Sequence, residues 1–184
     1  DTMHSQSSSQ VDPKQWTLGT STALFSVVDR ESLDRACQVG LTALEIVVRT
    51  ADYEMDLNSL TDVVQMAREL GMTIHSVHLP YGAAWDVSAL DPAARSMAMQ
   101  RHVRMLQLAA TWRPKVAVLH PSYEPIRSTE RRERLMRAKD AISELNRAAR
   151  EQGIHLCIEC LPRTCLGNTS AEILEIVQDF DGLG

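Results

Sequence analysis

Short, mainly apolar segments alternate along the chain with longer amphipathic ones. The apolar segments lie at 16–24, 41–48, 72–79, 115–120 and 154–160. Their lengths suit strands rather than helices, and a run such as 116–119 is apolar at every position instead of alternating. Both faces of the predicted sheet should therefore be covered, as they are in a parallel sheet. The order of the segments predicts a βαβαβαβαβα chain.

Helix signals fill the segments between the strands. Asp91 and Pro92 form a good helix start, with a capping carboxylate followed by proline at the first helical position. Asp56 is placed to cap the helix before it, and Thr169 and Glu172 have capping-box spacing. The clearest apolar stripe precedes the fifth strand and consists of Leu135, Ala138, Ile142, Leu145 and Ala149. This spacing predicts an amphipathic helix.

Glycine ends three of these helices, at Gly40, Gly71 and Gly153, and a strand follows at once each time. Glycine readily adopts the left-handed conformation that closes a helix, so the connections are predicted to be short. Five such units fit two α/β architectures: a parallel barrel of the TIM type that stops after its fifth βα unit, or a five-stranded doubly wound sheet. We expect 15–184 to form these units and the polar segment 1–14 to form a flexible tail.

Composition narrows the range of functions. Hydrophobic residues make up 44% of the 184 residues, which is typical of a globular protein, and the net charge of -5 argues against a broad nucleic-acid-binding face. No run in the sequence is long and apolar enough to span a membrane. The cysteines are too few and too irregularly spaced for a disulfide framework: Cys37, Cys157, Cys160 and Cys165. We therefore predict a cytoplasmic protein with reduced thiols.

Three successive strands end in residues that can bind metal ions. His78 ends the third strand, His120 the fourth and Glu159 the fifth. Neighbouring strand ends in a parallel sheet lie about 5 Å apart, and imidazole and carboxylate are ligands of Zn²⁺ and related divalent ions. A single histidine of this kind is more often structural, but a glutamate that ends an apolar strand is costly to bury without a partner. Together the three residues predict a metal site.

Four further residues are candidates for substrate binding. Trp85 and Asp86 lie in the loop after the third strand, where the indole could cover a sugar and the carboxylate could bind a hydroxyl, unless the loop simply packs down on Trp85. Arg163 could pair with Glu159 or bind an anionic substrate. Glu45, inside the second strand, could contact substrate or form a salt bridge. The remaining histidines of the helices and strands are expected to be structural: His75, His102 and His155.

Parts of the sequence resemble the xylose-isomerase-like barrels, a group that includes sugar phosphate isomerases and epimerases and endonuclease-IV-type enzymes. The segments are His78-Leu-Pro-Tyr-Gly with Trp85-Asp86, Leu119-His120-Pro-Ser, and Ile158-Glu159-Cys-Leu-Pro-Arg-Thr-Cys-Leu-Gly-Asn-Thr169. The resemblance covers the chain from Trp16 onward and is most specific between Glu159 and Thr169. It implies an eight-fold βα barrel with divalent ions at its carboxyl face. It also implies that Glu159 is a metal ligand and that His78 and His120 bind metal or substrate.

The sequence departs from the family pattern in two ways. Cys160 stands where many relatives carry Asn, which could alter hydrogen bonding beside the metal. A barrel of this kind usually has about 250 residues, and the family's later acidic and histidine ligands have no counterpart here. We therefore expect the sequence to be part of a longer protein.

Three functional hypotheses follow from the resemblance. The first is an isomerase or epimerase that depends on a divalent ion (Mn²⁺, Zn²⁺, Co²⁺ or Mg²⁺) and acts on a sugar, sugar phosphate or related polyol ketone through an enediolate, with Glu159 as ligand and candidate base. The second is an endonuclease-IV-type phosphodiester hydrolase, which the acidic balance disfavours. The third is a barrel that binds a ligand or partner without catalysis. The sequence leaves the oligomeric state open, with a homo-oligomer among the options.

Overall fold

The computed structural model describes residues 16–55, 57–180 and 182–184. The predicted tail at 1–14 and the predicted cap Asp56 lie outside these residues. The strands are β1 (Gly19–Ser21), β2 (Ala43–Val47), β3 (Thr73–His78), β4 (Val116–Leu119) and β5 (His155–Ile158). The α-helices are α1 (Arg30–Gln38), α2 (Thr50–Met55), α3 (Asn58–Glu69), α4 (Pro92–Thr111), α5 (Arg131–Glu151) and α6 (Ser170–Val177). Short 3-10 helices, Thr22–Leu24 and Ala83–Trp85, follow β1 and β3.

The strands form one parallel sheet in the order β1-β2-β3-β4-β5. A doubly wound sheet reverses its strand order partway, whereas here each strand lies beside its predecessor in the chain. The sequential order confirms the predicted barrel-type arrangement and excludes the doubly wound alternative. Because all the strands are parallel, their carboxyl ends lie along one edge of the sheet.

Alternate residues of each strand point to opposite faces of the sheet. The face that packs into the core carries Leu44, Ile46, Val77, Ala117, Leu119 and Leu156, each at most 1% exposed. The opposite face carries half-buried side chains, among them Glu45, Val47, Val116, Val118 and Cys157. By the same alternation His78, His120 and Glu159 lie on this second face.

The predicted helix ends are present. Gly40, Gly71 and Gly153 have φ angles of 89°, 82° and 71°, and each lies within three residues of the following strand. The Asp91 carboxylate accepts hydrogen bonds from the backbone N–H groups at the start of α4, with Pro92 in the first helical turn. These local signals therefore set the boundaries of the elements, as expected from the sequence.

Two elements differ from their predictions. β1 covers only Gly19–Ser21 instead of 16–24. It ends there because the Ser21 hydroxyl accepts a hydrogen bond from the Ala23 N–H and starts a 3-10 helix. The short helix α2 after β2 was not predicted, since its six residues are too few to show a helical period.

Two predictions from composition can be compared with the structure. All four cysteines are free thiols. Within the described ranges, no helix has the length and apolar character needed to cross a membrane.

Candidate metal centre

The side chains of His78, His120 and Glu159 converge at the carboxyl edge of the sheet. His78 is the last residue of β3, and His120 and Glu159 directly follow β4 and β5. One ligand atom from each residue lies within 4.8 Å of the other two, and the two imidazole centroids are 4.7 Å apart. The fold therefore brings together the three residues that the sequence predicted as ligands.

The hydrogen bonds of His78 direct one ring nitrogen at Glu159. Nδ1 lies 3.0 Å from the Leu79 carbonyl oxygen, which can only accept, so Nδ1 carries the proton. Nε2 lies 2.8 Å from Glu159 Oε2. In the neutral ring Nε2 holds a lone pair, and two lone pairs at this distance repel unless a cation lies between them. The contact therefore requires a proton or a metal ion, and a ring N–H bonded to a backbone carbonyl is the usual arrangement in a metal-binding histidine.

Burial keeps the His120 ring neutral. Its side chain is 9% exposed. Burial and, to a smaller extent, His78 lower its pKa to about 4, against an opposing effect of Glu159. A neutral imidazole has a lone pair available to a metal ion near pH 7. Its Nε2 lies 3.7 Å from Glu159 Oε2, while its Nδ1 is buried without a hydrogen-bond partner among the residues that the structure describes. Unlike in His78, no hydrogen bond fixes the tautomer.

Glu159 joins the two histidines and remains accessible. Both imidazole contacts are made by its Oε2 atom, and its side chain is 42% exposed. A small molecule can therefore reach the carboxylate from the open side of the edge. Two imidazole nitrogens and one carboxylate oxygen form a donor set that suits Zn²⁺, Co²⁺ and Mn²⁺, and three protein ligands leave coordination positions for a substrate.

Two tyrosines that the sequence analysis did not single out lie beside the cluster. The Tyr81 ring is 4.8 Å from the His120 ring and 5.1 Å from the Tyr123 ring. Burial raises the pKa of the Tyr81 phenol, whose hydroxyl lies 3.6 Å from the Cys165 thiol. The rings add an apolar wall to the site. The available signal was their position directly after the His78 and His120 motifs, but an isolated tyrosine has no spacing pattern that indicates a role.

Arg163 does not pair with Glu159. Its guanidinium forms an ion pair with Glu124, in the loop after β4, and its side chain is 65% exposed. The residue has a left-handed backbone conformation, with a φ of 68°, as the loop turns away from β5. The predicted Arg163–Glu159 pair is therefore wrong, because this turn brings the side chain to Glu124. Binding of an anionic substrate by Arg163 stays a prediction.

Trp85 and Asp86 pack into the protein. Trp85 is 3% exposed, and its ring lies 4.7 Å from the Tyr53 ring and 5.0 Å from the His102 ring. Asp86 is 7% exposed and forms an ion pair with Arg134 of α5. The loop thus packs down on Trp85, which was the alternative considered from the sequence. Substrate contacts by the two residues stay predictions.

Glu45 lies on the same face of the sheet as the cluster but deeper. It pairs in register with Ser76, whose hydroxyl donates a hydrogen bond to Glu45 Oε2 at 3.2 Å, whereas His78 pairs with Val47. Glu45 also lines a cavity of about 370 Å³ beside β1. It is therefore separate from the three converging side chains, and its substrate contact remains a prediction.

Comparison with known families identifies one match. The sequence profile of the xylose isomerase-like TIM barrel matches residues 33–184. No curated protein matches the chain in sequence.

Solved structures share the fold. D-psicose 3-epimerase from Clostridium cellulolyticum H10, solved with D-tagatose, matches with a TM-score of 0.77 and 20% identity over 91% of this chain and 62% of that one. A D-tagatose 3-epimerase-like protein gives 0.76 and 25% over 92% and 63%. A Thermus thermophilus protein soaked with ZnCl2 gives 0.66 and 25% over 91% and 64%. The chain thus spans less than two thirds of the length of these structures.

Proposed function

The chain belongs to the xylose isomerase-like TIM barrel family, and from this premise we propose that the protein is a divalent-metal-dependent isomerase or epimerase acting on a sugar, sugar phosphate or related polyol ketone. The observation that supports the proposal is the convergence of His78, His120 and Glu159 at the carboxyl edge of the sheet. Catalytic groups of barrel enzymes lie at this edge. Structural neighbours described as D-psicose and D-tagatose 3-epimerases make a ketose the first substrate to test.

Each of the three side chains has a separate part in holding the ion. His78 would use Nε2, because its Nδ1 is bonded to the Leu79 carbonyl. His120 would bind as the neutral imidazole that burial favours, and Glu159 would use its carboxylate. When bound, a divalent ion polarises the carbonyl of a ketone substrate and stabilises the negative charge of the enediolate.

Glu159 is also placed to move a proton. Its carboxylate is the most exposed group of the cluster and can accept the proton from the carbon next to the substrate carbonyl. Returning that proton to the opposite face of the carbon, or to the neighbouring carbon, completes an epimerisation or an isomerisation. Trp85, Asp86, Arg163 and Glu45 remain proposed substrate contacts.

Exchange of this carbon-bound proton with solvent tests the proposal. The full chain is incubated with Mn²⁺ or Co²⁺ and D-tagatose or D-fructose in D₂O, and deuterium incorporation next to the carbonyl is followed by NMR. The Glu159→Gln variant should lower the exchange rate by about 10²–10⁴-fold. Glu175→Gln, which changes an exposed carboxylate of α6, is the matched control and should leave the rate unchanged.

The outcomes separate the hypotheses. A Glu159→Gln variant that folds and retains full activity would overturn the proposal. Cleavage of abasic-site DNA without proton exchange would favour the phosphodiester hydrolase, and a protein that binds no divalent ion would favour the non-catalytic alternative.

A further inference from the structure

The segment 163–169, which follows Glu159 in the loop between β5 and α6, connects the loops that follow all three ligand-bearing strands. Its Cys165 thiol lies 3.6 Å from the Tyr81 hydroxyl, in the loop after β3. Its Leu166 N–H donates a hydrogen bond of 2.9 Å to the Ser122 hydroxyl, two residues after His120. The position of this segment is therefore coupled to the positions of all three ligands.

One guanidinium group holds this segment from the other side. Arg131 is the first residue of α5 and donates hydrogen bonds to four groups: the Thr164 carbonyl at 2.9 Å, the Cys165 carbonyl at 2.9 Å, Asn168 Oδ1 at 2.9 Å and the Glu172 carboxylate. These contacts use the planar, forked donor geometry that only arginine provides.

The carboxylate partner of Arg131 binds the segment as well. Glu172, in the first turn of α6, is 14% exposed on its side chain and accepts a hydrogen bond of 2.6 Å from the Gly167 N–H. Arg131 is 27% exposed, so this ion pair is shielded from solvent much more than a surface pair. The pair thus ties both backbone carbonyls and a backbone N–H of one short segment to a fixed point between α5 and α6.

We propose that Arg131, together with Glu172, is a positioning residue for the metal centre. It fixes segment 163–169, and the segment holds Glu159 through the chain and the Tyr81 and Ser122 loops through its contacts. The role rests on the proposed metal-dependent function, since positioning matters only if the three side chains bind an ion. Supporting groups around metal ligands commonly affect metal affinity without touching the ion.

A matched control lies next to Arg131 on the same helix. Arg132 pairs with Glu175 of α6 and is 74% exposed, so it connects the same two helices without contacting segment 163–169. The Arg131→Lys variant retains the charge beside Glu172 but loses the fork, which makes misfolding less of a concern than with a neutral replacement. Arg132→Lys makes the same chemical change at the exposed pair. A role restricted to helix docking would affect both variants alike.

The first measurement needs no metal. Trypsin cleaves after arginine, and the bond after Arg163 lies within the segment, so its cleavage rate in the folded protein, followed by mass spectrometry, reports how often the segment opens. Arg131→Lys should raise this rate about tenfold, as expected for the loss of charge-assisted hydrogen bonds, whereas Arg132→Lys should stay close to wild type. Equal rates in the two variants would overturn the proposal.

The second measurement is Co²⁺ binding, followed by visible absorption. Arg131→Lys should weaken Co²⁺ affinity about tenfold, and Arg132→Lys should leave it unchanged. If the wild type binds Co²⁺ and Arg131→Lys binds it equally well, only the positioning role is overturned. If the wild type binds no Co²⁺, the proposed metal-dependent function fails and this role fails with it.

Discussion

Two regions of the molecule are each built around a buried histidine near the loop after β3. In the first region, His102 of α4 packs against Trp85, which in turn contacts Tyr53. In the second, His120 lies beside His78 and Glu159. Burial lowers the pKa of both His102 and His120 to about 4. Both also have an Nδ1 atom without a hydrogen-bond partner among the described residues.

The two regions differ in what the other ring nitrogen faces. His102 Nε2 donates a hydrogen bond of 3.0 Å to the Trp85 carbonyl, so the ring joins a helix to a loop. His120 Nε2 faces an imidazole and a carboxylate, which is a donor set for a cation. Burial and a lowered pKa therefore do not identify a metal-binding histidine. The neighbours of its second nitrogen do.

The largest effect on stability is expected in the His102 region. Trp85→Ala removes a buried indole from between two rings and should lower the free energy of unfolding by about 3–5 kcal/mol. Urea unfolding measures this loss. The exposed Trp16, 62% accessible, provides the control, and Trp16→Ala should change little. If Trp85 is instead mainly a substrate contact, Trp85→Phe would raise KM while stability stayed near the wild-type value.

The second effect is a pH dependence that comes from His102. Burial, with a smaller contribution from His120, depresses its pKa to about 4, although the hydrogen bond to Trp85 opposes this. The unfolded chain takes up the proton first, near its ordinary pKa of about 6.5, so the stabilising contribution is complete above that pH and is lost as pH falls towards 4. The loss over this window should be about 3 kcal/mol.

His102→Gln isolates this contribution. Unfolding free energies of the wild type and the variant, measured between pH 7 and pH 4, should approach each other as pH falls. Parallel curves would show that His102 does not titrate with a depressed pKa in the folded protein.

The third effect should appear only in the metal region. His78→Ala removes a proposed ligand and should weaken Co²⁺ binding by about 100-fold, whereas His102→Gln should leave Co²⁺ affinity unchanged. Isothermal titration calorimetry on both variants sharpens the comparison between the two histidine regions. Equal losses of affinity would mean that the two regions are not functionally distinct.

The smallest effect is expected at the rim of the metal region. Arg163→Gln breaks the pair with Glu124, but the arginine is 65% exposed, so the free energy of unfolding should change by less than about 1 kcal/mol. Substrate kinetics give the second readout. A raised KM for a phosphorylated ketose, with an unchanged KM for the free sugar, would identify Arg163 as the predicted anion contact.

Much of the fold and the core of the candidate site could be predicted from neighbouring residues. The termination of α1, α3 and α5 at glycine and the His or Glu at the ends of β3, β4 and β5 depend on local spacing. The environment of these residues could not be predicted in this way. The Arg163–Glu124 and Arg131–Glu172 pairs join residues 39 and 41 positions apart, and no spacing rule connects such partners.

The sequence by itself determined the order of strands and helices and the residue types at the carboxyl ends of the strands. Periodicity and local conformational preference are properties of adjacent residues, so they can be read along the chain. Only the tertiary structure decided that the strands lie in sequential order and that Trp85 is buried while Glu159 stays accessible. The physical reason is that strand pairing and side-chain packing join distant segments, and several arrangements of the same segments satisfy the same local pattern.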